Sequence, residues 1–256
     1  LCVRCTTPLL EKTRKKISMF TNVIEEDVFS CHDAKSIFMI PQMLYEQGLV
    51  DVVFKKFGNV GFVNTSKNWD NWNTIVNSLQ KTDDAIKIAM VGKYVTLADS
   101  YVSVNEALKH ASASIGKSVN IDWIDSETLN GNLKQLDNFD GVLVPGGFGT
   151  RGSEGIIDTA TYALEKNIPY LGICFGFQLA AVAFGRKMCN LENANSTEIV
   201  ADTKNPIIDL LPEQKDETDM GGSLRLGANE IRVNQDSLAH KIYSSDKIFK
   251  RHRHRY

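Results

Sequence analysis

From Ala85 onward, short apolar runs alternate with longer amphipathic ones, and this rhythm restricts the chain to few architectures. Ile86–Val91, Val119–Ile124, Gly141–Val144 and Ile168–Ile173 read as strands, while Ser103–Ser114, Gly155–Asn167 and Phe177–Phe184 read as helices. Strands separated by helices of about 10–15 residues imply an α/β fold with a doubly wound, mostly parallel sheet. Sheets of this kind place their sites beyond the carboxyl ends of the strands. Residues 185–256 are less regular, with turns expected at Pro206, Pro212 and Gly221-Gly222.

The preceding stretch reads differently. Leu1–Cys5 is strand-like, Leu10–Phe20 has helical periodicity, and Asp27–Ser30 is a short apolar stretch. Ala34–Phe57 is largely helical, and Pro41 is expected to break or kink it. Residues 1–57 therefore read as the end of another α/β unit. Residues 58–84 are polar and read as a linker, with Trp69 and Trp72 on one short helix and a turn at Lys81-Thr-Asp-Asp84. Residues 85–256 form the main domain in this reading. A chain of 256 residues has room for such a domain plus a smaller flanking piece.

Composition excludes several classes of function. A net charge of −2 argues against a nucleic-acid or membrane-surface binder, since either wants a basic excess. No apolar run approaches a membrane span, and residues 1–20 lack the core of a secretion signal. Five irregularly spaced cysteines do not make a disulfide framework, so a reducing cytoplasm is the expected location. Cys2-Val-Arg-Cys5 has C-x-x-C spacing but no second pair, so chance explains it and no metal site is expected. Cys31 and Cys189 read as small core or boundary residues, and Trp69, Trp72 and Trp123 as packing residues.

Gly172-Ile-Cys-Phe-Gly176 lies between a strand and a helix. This is the glycine–x–nucleophile–x–glycine elbow, in which a sharp turn lifts the Cys174 side chain out of the sheet. The flanking glycines are needed because a Cβ would collide with backbone in so tight a turn. The amino end of the following helix points at the sulfur and is expected to favour the thiolate. The alternative is a buried structural cysteine. An acyl-transfer nucleophile also needs backbone N–H groups to hold an oxyanion. Pro145-Gly-Gly-Phe-Gly149 follows the preceding strand, and Gly147 with the residue after Cys174 would offer those donors. Read alone, this loop is equally a plain glycine-rich turn. A phosphate loop is disfavoured because the Gly-Lys-Ser/Thr ending is absent.

Together these motifs resemble the class I glutamine amidotransferases, and most closely the glutaminase domain of the CTP synthases. Val144-Pro-Gly-Gly-Phe-Gly-Thr-Arg-Gly152, Glu192-Asn-Ala-Asn-Ser-Thr-Glu198, Met220-Gly-Gly-Ser-Leu-Arg-Leu-Gly227, Arg251-His-Arg-His-Arg-Tyr256 and Val91-Gly-Lys-Tyr94 with Asp99-Ser-Tyr101 all look like that family. Residues 1–57 are similar to the end of its synthetase (amidoligase) domain. The resemblance implies flavodoxin-like layers and a remnant of a second α/β domain at the N-terminus. It also implies glutamine hydrolysis to glutamate and ammonia, the ammonia then aminating UTP to CTP with ATP and Mg2+.

Carried over by position, Cys174 is the nucleophile. Gly147, Phe175, Gly176, Phe177, Gln178, Glu198 and Arg255 are expected glutamine contacts. A carboxylate for the α-ammonium and a guanidinium for the α-carboxylate suit an amino acid. Lys16 matches a UTP/CTP contact, and His32, Asp33 and Ala34 match an ATP contact. GTP is implied as an allosteric activator, with Phe148 and the Val91–Tyr101 segment as its suggested surroundings. The resemblance further implies a homo-oligomer, a tetramer in the family and in some members a filament.

Two departures stand out. The His-Pro-Glu segment that supplies the triad base, and the synthetase phosphate loop, are both missing, and the chain reads as a fragment with both ends cut. His110 reads as a helix-surface residue and His240 as a loop residue. His252 and His254 alternate with arginines that disfavour a protonated ring. Asp216–Asp219 reads as a solvated loop, part of a mobile lid in the family. Other readings kept open are an amidotransferase such as the one that makes GMP, and a glutaminase-like regulatory module without catalysis.

Overall fold

We describe the fold from a computed structural model, in which residues 1–58, 66–81, 84–93, 95, 98–129, 131–210, 225–254 and 256 are described. The expected turns at Pro212 and Gly221-Gly222, the Asp216–Asp219 loop, Tyr94, Arg255 and residues 82–83 lie outside the described residues. The chain divides into two compact units. One comprises Leu1–Ala85 with Leu108–Ser118, the other Ile86–Ala107 with Val119–Tyr256.

In the first unit, β1 (Cys2–Arg4) pairs in parallel with β2 (Phe29–Cys31) across α1 (Glu11–Thr21). The stretch expected to kink at Pro41 divides elsewhere. Pro41 sits in the first turn of α2 (Ile40–Glu46), where its missing N–H is no loss. The break comes at Gly48, whose φ of 82° is left-handed, and α3 (Leu49–Lys56) starts beyond it. The short helix expected around the tryptophans is α4 (Ser66–Leu79). Trp72 donates from its indole N–H to the Phe38 carbonyl at 3.0 Å, and Trp69 stacks obliquely on Tyr45 at 4.9 Å.

In the second unit, β3 (Ala85–Gly92), β4 (Ser118–Asp125), β5 (Gly141–Val144) and β6 (Tyr170–Gly172) form a sheet in the order β4-β3-β5-β6. β3, β5 and β6 run parallel. α5 (Val102–Ser114) connects β3 to β4, its residues up to Ala107 belonging to this unit and those from Leu108 to the first; α6 (Ser153–Lys166) connects β5 to β6, and α7 (Phe175–Met188) follows β6. This is the α/β architecture expected from the alternation. Val144 is in register with Gly172, so the loop leaving β5 and the turn leaving β6 start side by side at the carboxyl end of the sheet.

Among the described residues of this unit, the core is an apolar cluster that includes Ala89 and Val91 from β3, Val142 and Val144 from β5, Ile156 and Ala160 from α6, and Phe175, Leu179 and Val182 from α7. Two close approaches set the helices. A Cβ on Gly155 would lie 2.0 Å from the Ser126 carbonyl oxygen, which brings the start of α6 onto the loop after β4. Arg186 of α7 bonds both oxygens of Glu154 of α6, at 2.7 and 3.1 Å, and the Ala194 carbonyl at 2.8 Å.

The part read as irregular is more ordered than the sequence suggests. β7 (Ala194–Ser196) and β8 (Asn205–Ile208) make a small parallel pair. β9 (Arg225–Arg232) and β10 (Lys247–His254) make an antiparallel ribbon, with the short α8 (Leu238–Tyr243) between them. His240, read as a loop residue, therefore lies on a helix and contacts Asp246 at 3.1 Å. Cys189, read as a core or boundary residue, is exposed at the end of α7.

Candidate active site

The turn between β6 and α7 is built around steric necessity. Cys174 has φ 54° and ψ −112°, a conformation that costs energy for any residue bearing a Cβ and clusters at functional sites. A Cβ on Gly172 would lie 2.5 Å from the backbone of Gly176 and Phe177, and one on Gly176 would lie 2.2 Å from the Val144 oxygen. Only glycine fits at either position. The Ile173 N–H donates to Val144 at 2.9 Å, the Gly176 N–H to Ile173 at 3.0 Å, and the Gln178 N–H to the Cys174 carbonyl at 3.1 Å. The partly buried Tyr170 hydroxyl donates to the Gly176 carbonyl at 2.9 Å, and burial pushes that phenol up.

The glycine loop after β5 lies against this turn. A Cβ on Gly146 would meet Cys174 Cβ at 3.4 Å and Sγ at 3.8 Å, and one on Gly147 would meet the Phe175 ring at 3.9 Å. The Gly149 N–H donates to Glu198 Oε1 at 2.8 Å. Cys174, Gly147, Phe175, Gly176 and Glu198, singled out from sequence, thus belong to one constellation. Phe177 is exposed, and Gln178 donates from its side chain to the Tyr256 carbonyl at 3.2 Å. Phe148 is 75% exposed.

The resting electrostatics correct one expectation. Burial pushes the half-buried Cys174 thiol up; a hydrogen bond from the Phe175 N–H works against this, and the charge of Glu198 adds to it. The helix amino end does not by itself give a thiolate, so deprotonation needs a base. Three imidazoles have partners of their own. His32 contacts Ser30 at 3.1 Å, His110 lies edge-on to Phe38, and His240 contacts Asp246. The side chains of His252 and His254 lie outside the described residues.

One residue escaped the sequence reading as a site residue in its own right. Lys93 follows β3 and is 5% exposed. Its Nζ donates to the carbonyls of Phe148, at 3.0 Å, and Gly149, and lies 4.1 Å from the centre of the Phe175 ring. Burial lowers its pKa to about 8; Glu198 and Glu127 oppose the drop and Arg151 adds to it. Arg151 in turn donates to the Lys93 carbonyl at 3.2 Å and pairs with Glu127 at 3.3 Å. The available signal was a charged residue at the carboxyl end of a buried parallel strand.

The nucleotide candidates lie in the other unit. Lys16 is exposed on α1, and Asp33 pairs with Arg4. His32 lines a cleft of about 460 Å³ with Arg14, Gln42 and Met43 among its walls. Ala34 is partly buried beyond β2. Among the described residues no three His, Cys, Asp or Glu side chains converge as a divalent-cation site requires.

The family model for glutamine amidotransferase class-I matches residues 96–256, and that for the CTP synthase N-terminus matches residues 1–59. The chain belongs to the CTP synthase family of class I glutamine amidotransferases. Across its whole length it is 44% identical to the CTP synthase of Pyrococcus abyssi, covering 47% of that protein. It is likewise 44% identical to that of Staphylococcus haemolyticus, covering 48%. The chain thus spans about half the length of these CTP synthases. Among solved structures it is similar to the glutaminase domain of Trypanosoma brucei CTPS with bound acivicin. That match has a TM-score of 0.60 and 35% identity, over 67% of each chain.

Proposed function

We propose that this chain is the glutamine-hydrolysing part of a CTP-forming ligase, with Cys174 as its nucleophile. The observation that carries the reading is the Cys174 backbone, held at φ 54° by two glycines that admit no Cβ, with the Gly146–Gly147 loop against the thiol. The thiolate attacks the side-chain amide carbon of glutamine, and negative charge moves to the carbonyl oxygen. The N–H groups of Gly147 and Phe175 are the donors for that charge. Collapse of the tetrahedral intermediate expels ammonia, the leaving nitrogen taking up the proton that the thiol gave to the general base, and leaves a thioester that water hydrolyses to glutamate and free thiol. Glu198 keeps a second carboxylate oxygen for the substrate ammonium, and Arg255 is assigned to the substrate carboxylate.

The ammonia aminates UTP in the synthetase part of the protein, with ATP as the activating nucleotide and Mg2+ bound there. Lys16 contacts the pyrimidine nucleotide, and His32, Asp33 and Ala34 contact ATP. GTP acts as allosteric activator near Phe148 and the Val91–Tyr101 segment, the assembly is a homo-tetramer able to form filaments, and the location is the cytoplasm. The match of residues 1–59 to the CTP synthase N-terminus supports UTP over the XMP of a GMP-forming enzyme.

In the full-length protein, a glutamine analogue bearing a diazo ketone should alkylate Cys174 and abolish glutamine-dependent CTP formation, sparing the ammonia-dependent reaction. Cys174→Ala should do the same. Unchanged glutamine use by that variant would refute the reading.

A further inference from the structure

One buried cation reaches both segments from which oxyanion donors are drawn, through backbone carbonyls on one and an aromatic ring on the other. Lys93 Nζ donates to the Phe148 and Gly149 carbonyls of the glycine loop, and it lies 4.1 Å over the ring of Phe175, the residue after the nucleophile. The other side of the loop is held as well. The Phe148 carbonyl and the Gly149 N–H belong to one peptide unit; the carbonyl points at Lys93, and the N–H donates to Glu198 at 2.8 Å. That unit cannot rotate without breaking both bonds.

The loop has reason to need such a grip. Its upstream end is fixed because the Val144 carbonyl accepts from the Ile173 N–H. Between Val144 and the held peptide lie Pro145 and two consecutive glycines, and glycine populates both hands of φ space about equally. Left free, the Gly146 and Gly147 peptides could present a carbonyl where an N–H is required. A donor fixed in advance contributes most to holding developing charge, because nothing has to reorganise during the reaction.

Resting on the glutaminase reading above, we propose that Lys93 is a positioning residue for that reaction: with Glu198 it clamps the Phe148–Gly149 peptide and so keeps the glycine loop in its donor-forward orientation. It touches neither substrate nor reacting atoms. The clamp also gives the site an alkaline limit. The charged groups facing Lys93 are Glu198, Glu127 and Arg151, and burial outweighs their sum to leave the ammonium titrating at about pH 8. Above that pH the loop is held by a neutral amine with weaker bonds. Cys174 moves oppositely, since its raised thiol pKa makes the rate climb with pH.

The test uses full-length protein and two variants, Lys93→Met and Lys93→Arg. For Lys93→Met, kcat for glutamine hydrolysis should fall on the order of 100-fold with KM changed by less than about 3-fold, because the lost interaction acts in the transition state. Alkylation of Cys174 by iodoacetamide, which builds no oxyanion, should keep its wild-type rate. The fall in kcat above about pH 8 should vanish. Lys93→Arg keeps a charge that does not titrate in this range, so it should hold kcat within about tenfold of wild type and also lose the alkaline limb. If Lys93→Met does not fold, the Arg variant decides, and an alkaline limb left in place overturns the clamp. So does a wild-type kcat in Lys93→Met, an effect confined to KM, or a parallel fall in hydrolysis and alkylation. Cys174→Ala separates the two claims. Glutamine use surviving in it removes the glutaminase reading, whereas a required Cys174 with an indifferent Lys93 removes the clamp alone.

Discussion

Glycines at this site are not interchangeable, and the difference is one of available space. Gly176 has no room, since a Cβ there would lie 2.2 Å from the Val144 oxygen. Gly149 has a φ of 76° but nothing within 4 Å of an added Cβ. Gly149→Ala should therefore cost only the left-handed backbone penalty, roughly 1–2 kcal/mol. Gly176→Ala must push β5 and α7 apart and should cost more, at or above the usual overpacking range of about 1–3 kcal/mol, together with loss of Cys174 alkylation by a glutamine analogue. Urea unfolding of the two variants measures the comparison, and equal midpoints would contradict the packing at the turn. This steric logic was readable in Gly172-Ile-Cys-Phe-Gly176, because a cysteine between two glycines at a strand–helix junction marks a turn too tight for a Cβ on either side. Lys93 was not readable as a clamp. Its partners are the carbonyls of Phe148 and Gly149, and the identity of an amino acid says nothing about where its backbone carbonyl points.

At the scale of elements, periodicity was informative where one face is buried and weak elsewhere. β3 and β5 are nearly continuous apolar runs because parallel strands are covered on both faces, and their bounds came out within one or two residues. The helix at 34–57 was misdivided because Pro41 is a visible breaker, yet proline in a first turn breaks nothing, and the αL turn at Gly48 does the work instead. α7 begins two residues earlier than its apolar pattern suggested, since the elbow itself opens the helix. That helix is also where element-scale energetics concentrate. Leu179 is fully buried in the main cluster. Leu179→Ala should destabilise by about 2–5 kcal/mol, the range for a core leucine that leaves a cavity. A shift in denaturation midpoint worth less than about 1 kcal/mol would mean that α7 repacks freely.

For the whole molecule, the alternation of strands and helices foretold an α/β unit, but the sharing of apolar burial between the two units was not legible. Every residue of the large cluster lies in the unit formed by Ile86–Ala107 and Val119–Tyr256. In the other unit α1, α2 and α3 contribute no fully buried residue, and among the described residues Val28, Phe29, Val76 and Ala113 are its buried apolar side chains. Stability follows buried apolar surface, and local opening spans everything from near zero up to the global free energy. The two units should therefore differ in protection within this chain. Amides of Ile88–Val91, Val142–Val144 and Leu179–Ala183 should exchange slowest, near the global limit. Those of Val3, Arg4 and Phe29–Cys31 should exchange at least about 30-fold faster, because a short two-stranded pair with little covering opens without unfolding the main core. Hydrogen exchange followed by mass spectrometry resolves both groups of peptides in one experiment. Equal protection would require apolar burial across the first unit comparable to that in the second, and the exposed faces of α1 and α3 leave no place for it.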